Sequence, residues 1–182
     1  QMMESVLAQS YENFELIIAD GGMKDDLRRM SVHFADTRIK YRRLDPGGGI
    51  SANTNAALAE ASGDYVTLMD HDDFIEPDAL YETVRAVQNG ADIVYTDEDK
   101  YDTASGRYLS PYRKSGYNRE LLLSNNYICH MFTVRKDIAD STGGFDSSFD
   151  GAQDYDFILK CIEKTQPSKI AHVHEILYHW RI

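Results

Sequence analysis

Short apolar runs alternate with helical patterns along the chain, and several of the runs end in acidic residues. Met2, Met3, Val6 and Leu7 make an amphipathic opening that predicts a short helix. Phe14 to Ala19 is an apolar, β-branched run of the kind found in buried parallel strands, and it stops at Asp20-Gly21-Gly22. A helix is expected over 25–34, a strand of alternating polarity over 38–44, and a loop at Pro46-Gly47-Gly48-Gly49. Ser51 is placed to cap a helix over Ala52–Ala61, which Gly63 should close in a left-handed cap. The next strand, 64–69, runs into Asp70-His71-Asp72-Asp73, and Pro77 opens a helix through Val87.

Three strand-then-helix units in succession predict an α/β fold with a mostly parallel sheet and helices on both faces, in which ligands gather at the carboxyl ends of the strands. The second half is less regular. It reads as a strand at 91–96, a hairpin or insertion over 100–112 around Ser105-Gly106, a helix at 120–123 and a strand at 128–134. A helix over 155–163 and β segments over 170–180 complete the chain.

Length and composition then bound the choices. With 182 residues and 42% hydrophobic content, the chain supports one sizeable core and one domain. A formal net charge of -11 opposes broad contact with nucleic-acid phosphates, so no nucleic-acid partner is expected. No apolar run approaches the ~20 residues that cross a bilayer. Cys129 and Cys161 lack metal-ligand spacing and read as reduced, packed thiols. The chain opens inside an amphipathic pattern and stops inside an apparent strand at Trp180-Arg181-Ile182, which predicts a fragment of a longer protein.

The chemistry concentrates in two acidic segments. Closely spaced carboxylates at Asp70, Asp72 and Asp73 repel one another and point to a divalent cation, Mg²⁺ or Mn²⁺, that could also hold diphosphate oxygens. A solvated turn capping the helix after Pro77 is the competing reading, and the position after a strand favours the cation. An EF-hand is excluded, because counting from Asp70 puts Ile75 where glycine belongs and Tyr81 at the twelfth position. In Gly151-Ala152-Gln153-Asp154-Tyr155-Asp156-Phe157 a glycine turn delivers Asp154 to a helix entrance, where it could cap the helix or act as a base. The glycine run 47–49 lacks the phosphate-loop patterns, and His172, His174 and His179 read first as ordinary strand histidines rather than a zinc site.

Several segments together resemble the family-2 glycosyltransferases of GT-A fold, particularly bacterial rhamnosyltransferase-like polysaccharide enzymes. They are Ser5-Val6-Leu7-Ala8-Gln9-Ser10-Tyr11-Glu12-Asn13-Phe14-Glu15-Leu16, Gly48-Gly49-Ile50-Ser51-Ala52-Asn53-Thr54-Asn55, the Asp70–Asp72 segment, Tyr95-Thr96-Asp97-Glu98-Asp99-Lys100, Gln153-Asp154-Tyr155-Asp156-Phe157 and Leu177-Tyr178-His179-Trp180-Arg181. The resemblance implies one GT-A domain over 1–182, with a nucleotide-binding half of about 1–99 and an acceptor-binding half of about 100–182. It implies inverting, metal-dependent transfer from a nucleotide-sugar donor to a glycan or lipid-linked glycan acceptor, in the cytoplasm or at the inner face of the cell membrane, in cell-envelope polysaccharide biosynthesis.

By the same resemblance, Asp154 is the general base, Asp72 and Asp70 the metal residues, and Asp20, Asn55, Asp70 and His71 the nucleotide-sugar contacts. Asp97, Glu98, His130, Gln153 and His179 line the pocket. Two departures are visible: Gly21 stands where relatives carry a second acid, and the family's first strand would precede Gln1. A missing central strand would expose backbone donors and apolar faces, predicting an inactive, rearranged or homo-oligomeric fragment. Two other functions fit part of the pattern: a nucleotidyltransferase, disfavoured by the absence of a basic triphosphate loop, and a non-catalytic carbohydrate-binding or assembly module with the same fold.

Overall fold

The computed structural model describes residues 1–182 throughout. Its elements, in chain order, are α1 (Met2–Leu7), β1 (Leu16–Asp20), α2 (Asp26–Phe34), β2 (Ile39–Arg43), α3 (Gly49–Glu60), β3 (Tyr65–Leu68), β4 (Phe74–Ile75) and α4 (Ala79–Gln88). Then follow β5 (Ile93–Asp102), β6 (Arg107–Tyr112), α5 (Arg119–Ser124), β7 (Phe132–Arg135), α6 (Lys136–Ser141), α7 (Gln153–Ile162) and β8 (Ile170–Arg181). The α/β class holds, with helices flanking the strands.

The strands divide into two sheets. β1 and β2 pair in parallel, and the other six form one sheet in the order β3-β7-β5-β8-β4, with β6 added along the outer half of β5. In the larger sheet only β5 and β8 run parallel; the pairings of β7 with β3 and β5, of β4 with β8, and of β6 with β5 are antiparallel. The ladder is therefore mixed where strand–helix alternation alone predicts mostly parallel pairing. The change comes in the second half, where β7 is entered from α5 rather than by a full crossover. No strand joins the two sheets, so β1 and β3 each keep one unpaired edge. Side chains bridge them instead: Phe14 and Leu16 pack with Met69 against the cluster of Val6, Ile75, Ala79, Met131, Leu177 and Tyr178.

The main core lies between the large sheet and α7. Phe157, Ile158, Cys161 and Ile162 recur one turn apart, so they share one face of α7 and bury it against Tyr95, Phe132 and Val134. Phe157 stacks on Phe145 at 4.2 Å and meets Phe132 edge-on at 6.3 Å. Truncating such a ring costs about 3–5 kcal/mol, enough to fix the helix whose first turn carries Asp154.

Local details differ from the pattern-based expectations at α3. The helix begins at Gly49, with Gly48 at the N-cap, so Ser51 lies inside it and its hydroxyl bonds the Asp150 carboxylate. At the other end Ala61 is extended (φ -65°, ψ 127°), and Gly63 supplies an N–H to Glu15 rather than a left-handed cap. Two elements, β4 and α6, carried no clear periodic signal because they are too short to show one.

Candidate active site

The carboxyl end of β3 delivers Asp70, His71, Asp72 and Asp73 in one turn, yet the four side chains have different surroundings. Asp73 is buried: it accepts the Tyr178 hydroxyl at 2.6 Å and the Arg181 N–H at 2.9 Å. Burial, with Asp70 and Asp72 nearby, pushes its carboxyl above the usual range despite those two donors. Asp73 thus ties the turn to β8. His71 and Asp72 are largely exposed, 3.9 Å apart. Asp70 faces the His130 imidazole at 3.5 Å, and its carboxyl is held below the usual range by that ring against the opposing effect of burial.

His130 precedes β7 and is buried, stacked on Tyr178 at 4.7 Å and edge-on to Trp180 at 5.1 Å. Burial opposes its charge, but Asp70 and the adjacent Cys129 outweigh that cost and raise it to about 10. The ring therefore sits beside the acidic turn with its proton affinity raised, while its Nδ1 is buried without a hydrogen-bond partner.

Asp154 completes this group from the first turn of α7. The N-cap of α7 is Ala152, and Asp154 caps nothing: its recorded bond is from the Gln153 amide to Oδ2 at 3.1 Å. Gln153 turns its own carbonyl oxygen to the Gly151 N–H at 2.6 Å. A helix N-terminus favours a carboxylate, but burial wins and raises the Asp154 carboxyl; the charges of His130 and Asp70 also act on it, in opposite directions. Asp70, His130 and Asp154 are thereby brought into one electrostatic neighbourhood.

The remaining sequence-selected residues are occupied elsewhere. Asp20 is buried at the end of β1 and accepts from Gly22 N–H at 2.9 Å, Tyr41 at 2.7 Å and Arg43 at 2.9 Å. Burial works against its charge, yet these donors lower its carboxyl overall. A side chain at Gly21 would meet the Asn53 amide at 2.6 Å, so Asn53 covers this position. Asn55 uses both amide atoms on the Phe145 backbone, each at 2.8 Å, clamping α3 to the segment that leads into α7.

On β5, Asp97 accepts from the Lys114 N–H at 2.8 Å and contacts the His172 ring at 2.7 Å, while Glu98 pairs with the Lys114 ammonium at 2.9 Å. Asp99 and Glu76 hold opposite sides of the His179 ring at 2.6 and 3.0 Å. The β5–β8 register slips at Asp97 and again at Glu98, a bulge of the kind that re-aims side chains beside sites.

Sequence reasoning missed Lys114. Its buried ammonium donates to Glu98 and to the carbonyls of Ile128 and His130, so it anchors the segment that presents His130. Burial lowers its proton affinity against the pull of Glu98. Nothing around Arg113-Lys114-Ser115 distinguishes it from a surface lysine. Tyr178, which bonds Asp73 and receives the Asp70 N–H at 3.3 Å, was visible only as part of the closing segment.

The residues fit a hard divalent cation in part. The exposed Asp72 carboxylate and Asp70 offer oxygen donors, as Mg²⁺ or Mn²⁺ sites completed by substrate phosphates require. No group of three or more His, Cys, Asp or Glu side chains forms a cation cage without added ligands. No helix is long and apolar enough to cross a membrane.

The chain is 39% identical over its full length to the Sinorhizobium fredii protein y4gI and 33% identical to the O-antigen biosynthesis protein RfbC of Myxococcus xanthus. It spans only 20% and 14% of those two proteins. A solved structure of S. aureus TarS residues 1–349 in complex with UDP superposes on the whole chain and on 55% of TarS with a TM-score of 0.79, at 17% identity, a likeness of fold. The model of glycosyl transferase family 2 matches residues 1–143, and the chain belongs to that family.

Proposed function

We propose that the chain forms the catalytic part of an inverting glycosyltransferase that moves a sugar from a nucleoside-diphosphate donor to a hydroxyl of a glycan acceptor during polysaccharide biosynthesis. The observation that carries this reading is the state of Asp154. Its carboxylate sits at a helix entrance without spending itself on backbone N–H groups, beside Asp70 and His130, with its proton affinity raised. That is what a general base needs: an oxygen free to approach a hydroxyl and a proton affinity nearer neutrality.

The transfer balances as a single displacement. The acceptor oxygen forms its bond to the anomeric carbon while the bond to the diphosphate oxygen breaks, and the hydroxyl proton passes to Asp154. Attack from the face opposite the leaving group inverts the configuration. The diphosphate gains negative charge as it departs, so positive charge in place before the reaction favours the transition state. In its protonated form His130 would supply one such charge, with Asp70 orienting the ring. Asp72, with Asp70, would hold Mn²⁺ or Mg²⁺, which when bound supplies further neutralisation of the diphosphate. TarS, bound to UDP and to UDP-GlcNAc in its solved structures, makes a uridine donor the first to try.

The test incubates the purified protein with a panel of nucleotide sugars, Mn²⁺ and glycan acceptors, and follows nucleoside diphosphate release and product anomeric configuration. Release of nucleoside diphosphate with an inverted product is expected. Pyrophosphate as the product, or transfer undiminished in Asp154→Asn, overturns the proposal.

A further inference from the structure

Helix α3 has no cap of its own. Its N-cap, Gly48, carries no side chain, and its first turn holds no acidic residue. The missing anion arrives from the far half of the chain. Asp150 sets both carboxylate oxygens against that first turn: Oδ1 accepts the hydroxyl of Ser51, which is 1% exposed, and Oδ2 lies 3.2 Å from where a side chain at Gly49 would begin. The helix dipole favours a carboxylate at this end, and a buried hydroxyl needs an acceptor, so the contact serves both elements.

The same face of α3 holds the segment at a second point, where Asn55, one turn after Ser51, clamps the Phe145 backbone. The two mounts secure different things. Phe145 stacks on Phe157 at 4.2 Å, so the Asn55 clamp fixes the body of α7. Asp150 opens the turn through Gly151 (φ 100°) that ends at Asp154. Within that turn the Asp150 N–H donates to the Ser147 carbonyl at 3.3 Å, the Ala152 N–H to Phe149 at 2.7 Å and the Gly151 N–H to the Gln153 side chain at 2.6 Å. The bond to Ser51 is the one hydrogen bond by which residues 146–152 reach the first half of the chain.

We propose that Asp150 is a positioning residue for sugar transfer: through Ser51 it pins the Gly151 turn to α3 and so holds Asp154 where it reaches the acceptor hydroxyl. The proposal rests on the reading of Asp154 as the base. A base works only within hydrogen-bond reach of the proton it takes, and a displacement of about 1 Å can cost ~10²-fold in rate. With the tie broken, α7 keeps its packing through Phe157, Ile158 and Cys161, while the turn before it loses its hold on α3. Loss of Asp150 therefore acts on the chemistry more than on the fold. The tie needs an acceptor oxygen rather than a charge, so Asp150→Asn keeps the bond from Ser51 and Asp150→Ala removes it.

Two readouts on the full chain test this. Amide hydrogen exchange over residues 149–153, read by peptide mass spectrometry, should quicken at least about fivefold in both Asp150→Ala and Ser51→Ala, with the later turns of α7 unchanged. With the donor and acceptor that the panel selects, both variants should lower kcat by ~10- to 100-fold, leave donor KM within about twofold and lower the thermal midpoint by no more than ~4 °C. The double variant should be no slower than the slower single one, and Asp150→Asn should recover most of kcat. Exchange and kcat both unchanged in a protein that transfers sugar overturn the positioning role and leave the transferase reading standing. A rise in donor KM with kcat unchanged also overturns it, since the contact would then serve the donor. So does a loss in Asp150→Asn as deep as in Asp150→Ala with Ser51→Ala fully active, because the carboxylate would then act without Ser51. Faster exchange in variants of a protein that turns over no donor would instead overturn the transferase reading, with the tie itself intact.

Discussion

Asp20, buried, and Asp154, half-buried, are carboxylates at the ends of elements, and their proton affinities shift in opposite directions. Asp20 closes β1 with three donors around it, and its carboxyl is lowered. Asp154 opens α7 with one side-chain amide, and its carboxyl is raised. Burial is the first influence on both; the supply of donors decides the sign. Position at a strand or helix end therefore nominates an acid, while its hydrogen bonds separate one spent on holding the fold from one left free to react.

The largest effect expected from this contrast is at Asp154. Asp154→Asn should lower kcat by on the order of 10³-fold, as loss of a general base does. Its thermal midpoint should stay level or rise: a carboxyl with a raised folded value weakens the fold where it is ionised, and the amide removes that charge. In the unmodified protein the acid limb of kcat/KM should lie above the ordinary aspartate value of 3.8. A melting temperature that falls with activity would place Asp154 among the structural acids and break the comparison.

Lys114 sharpens it from the structural side. Lys114→Met removes the partner of Glu98 and the donor to the Ile128 and His130 carbonyls, leaving a partly buried carboxylate uncompensated. A cost of about 3 kcal/mol is expected, and Glu98→Gln in the same chain should restore part of it. Urea unfolding of the single and double variants measures both. Asp20→Asn comes next, at about 2 kcal/mol, because an amide cannot accept equally well from Arg43 and Tyr41. The fall should show as ~4–8 °C in the thermal midpoint, the reverse of the behaviour at Asp154.

Much of the frame is legible in the chain. Apolar runs ending in acids locate β1 and β3, and the spacing of Phe157, Ile158, Cys161 and Ile162 gives the buried face of α7. The family segments bring Asp70 and Asp154 forward as candidates, the resemblance adds His130 only as a pocket-lining residue, and the three share a neighbourhood. What periodicity cannot carry is partnership over long separations. Lys114 is buried because β5 and the 128–130 segment converge on it, and His179 is held by Asp99 and Glu76, which lie far away in sequence. Antiparallel entry of β7 is likewise a product of the assembled second half.

The smallest effect tests whether the donor-rich pattern at Asp20 is general among the fold-holding acids. Glu15 accepts the Ser62 and Gly63 N–H groups at 2.6 and 3.1 Å and pairs with Lys40, tying the start of β1 to the turn before β3 and to β2. Its partial burial opposes ionisation, but Lys40 and Ser62 prevail and lower it from 4.5 to about 2. The folded value lies below the unfolded one, so the contribution is complete above pH 4.5 and is lost as pH falls towards about 2. Because Lys40 is half exposed, solvent screening keeps the effect to about 1 kcal/mol. Glu15→Gln should therefore unfold at lower urea than the unmodified protein at pH 7, and the difference should shrink through that acid window. A difference that stays constant down to pH 2.5 would mean that the Glu15 side chain acts through its packing and neutral hydrogen bonds, and that charge at this corner adds nothing to the fold.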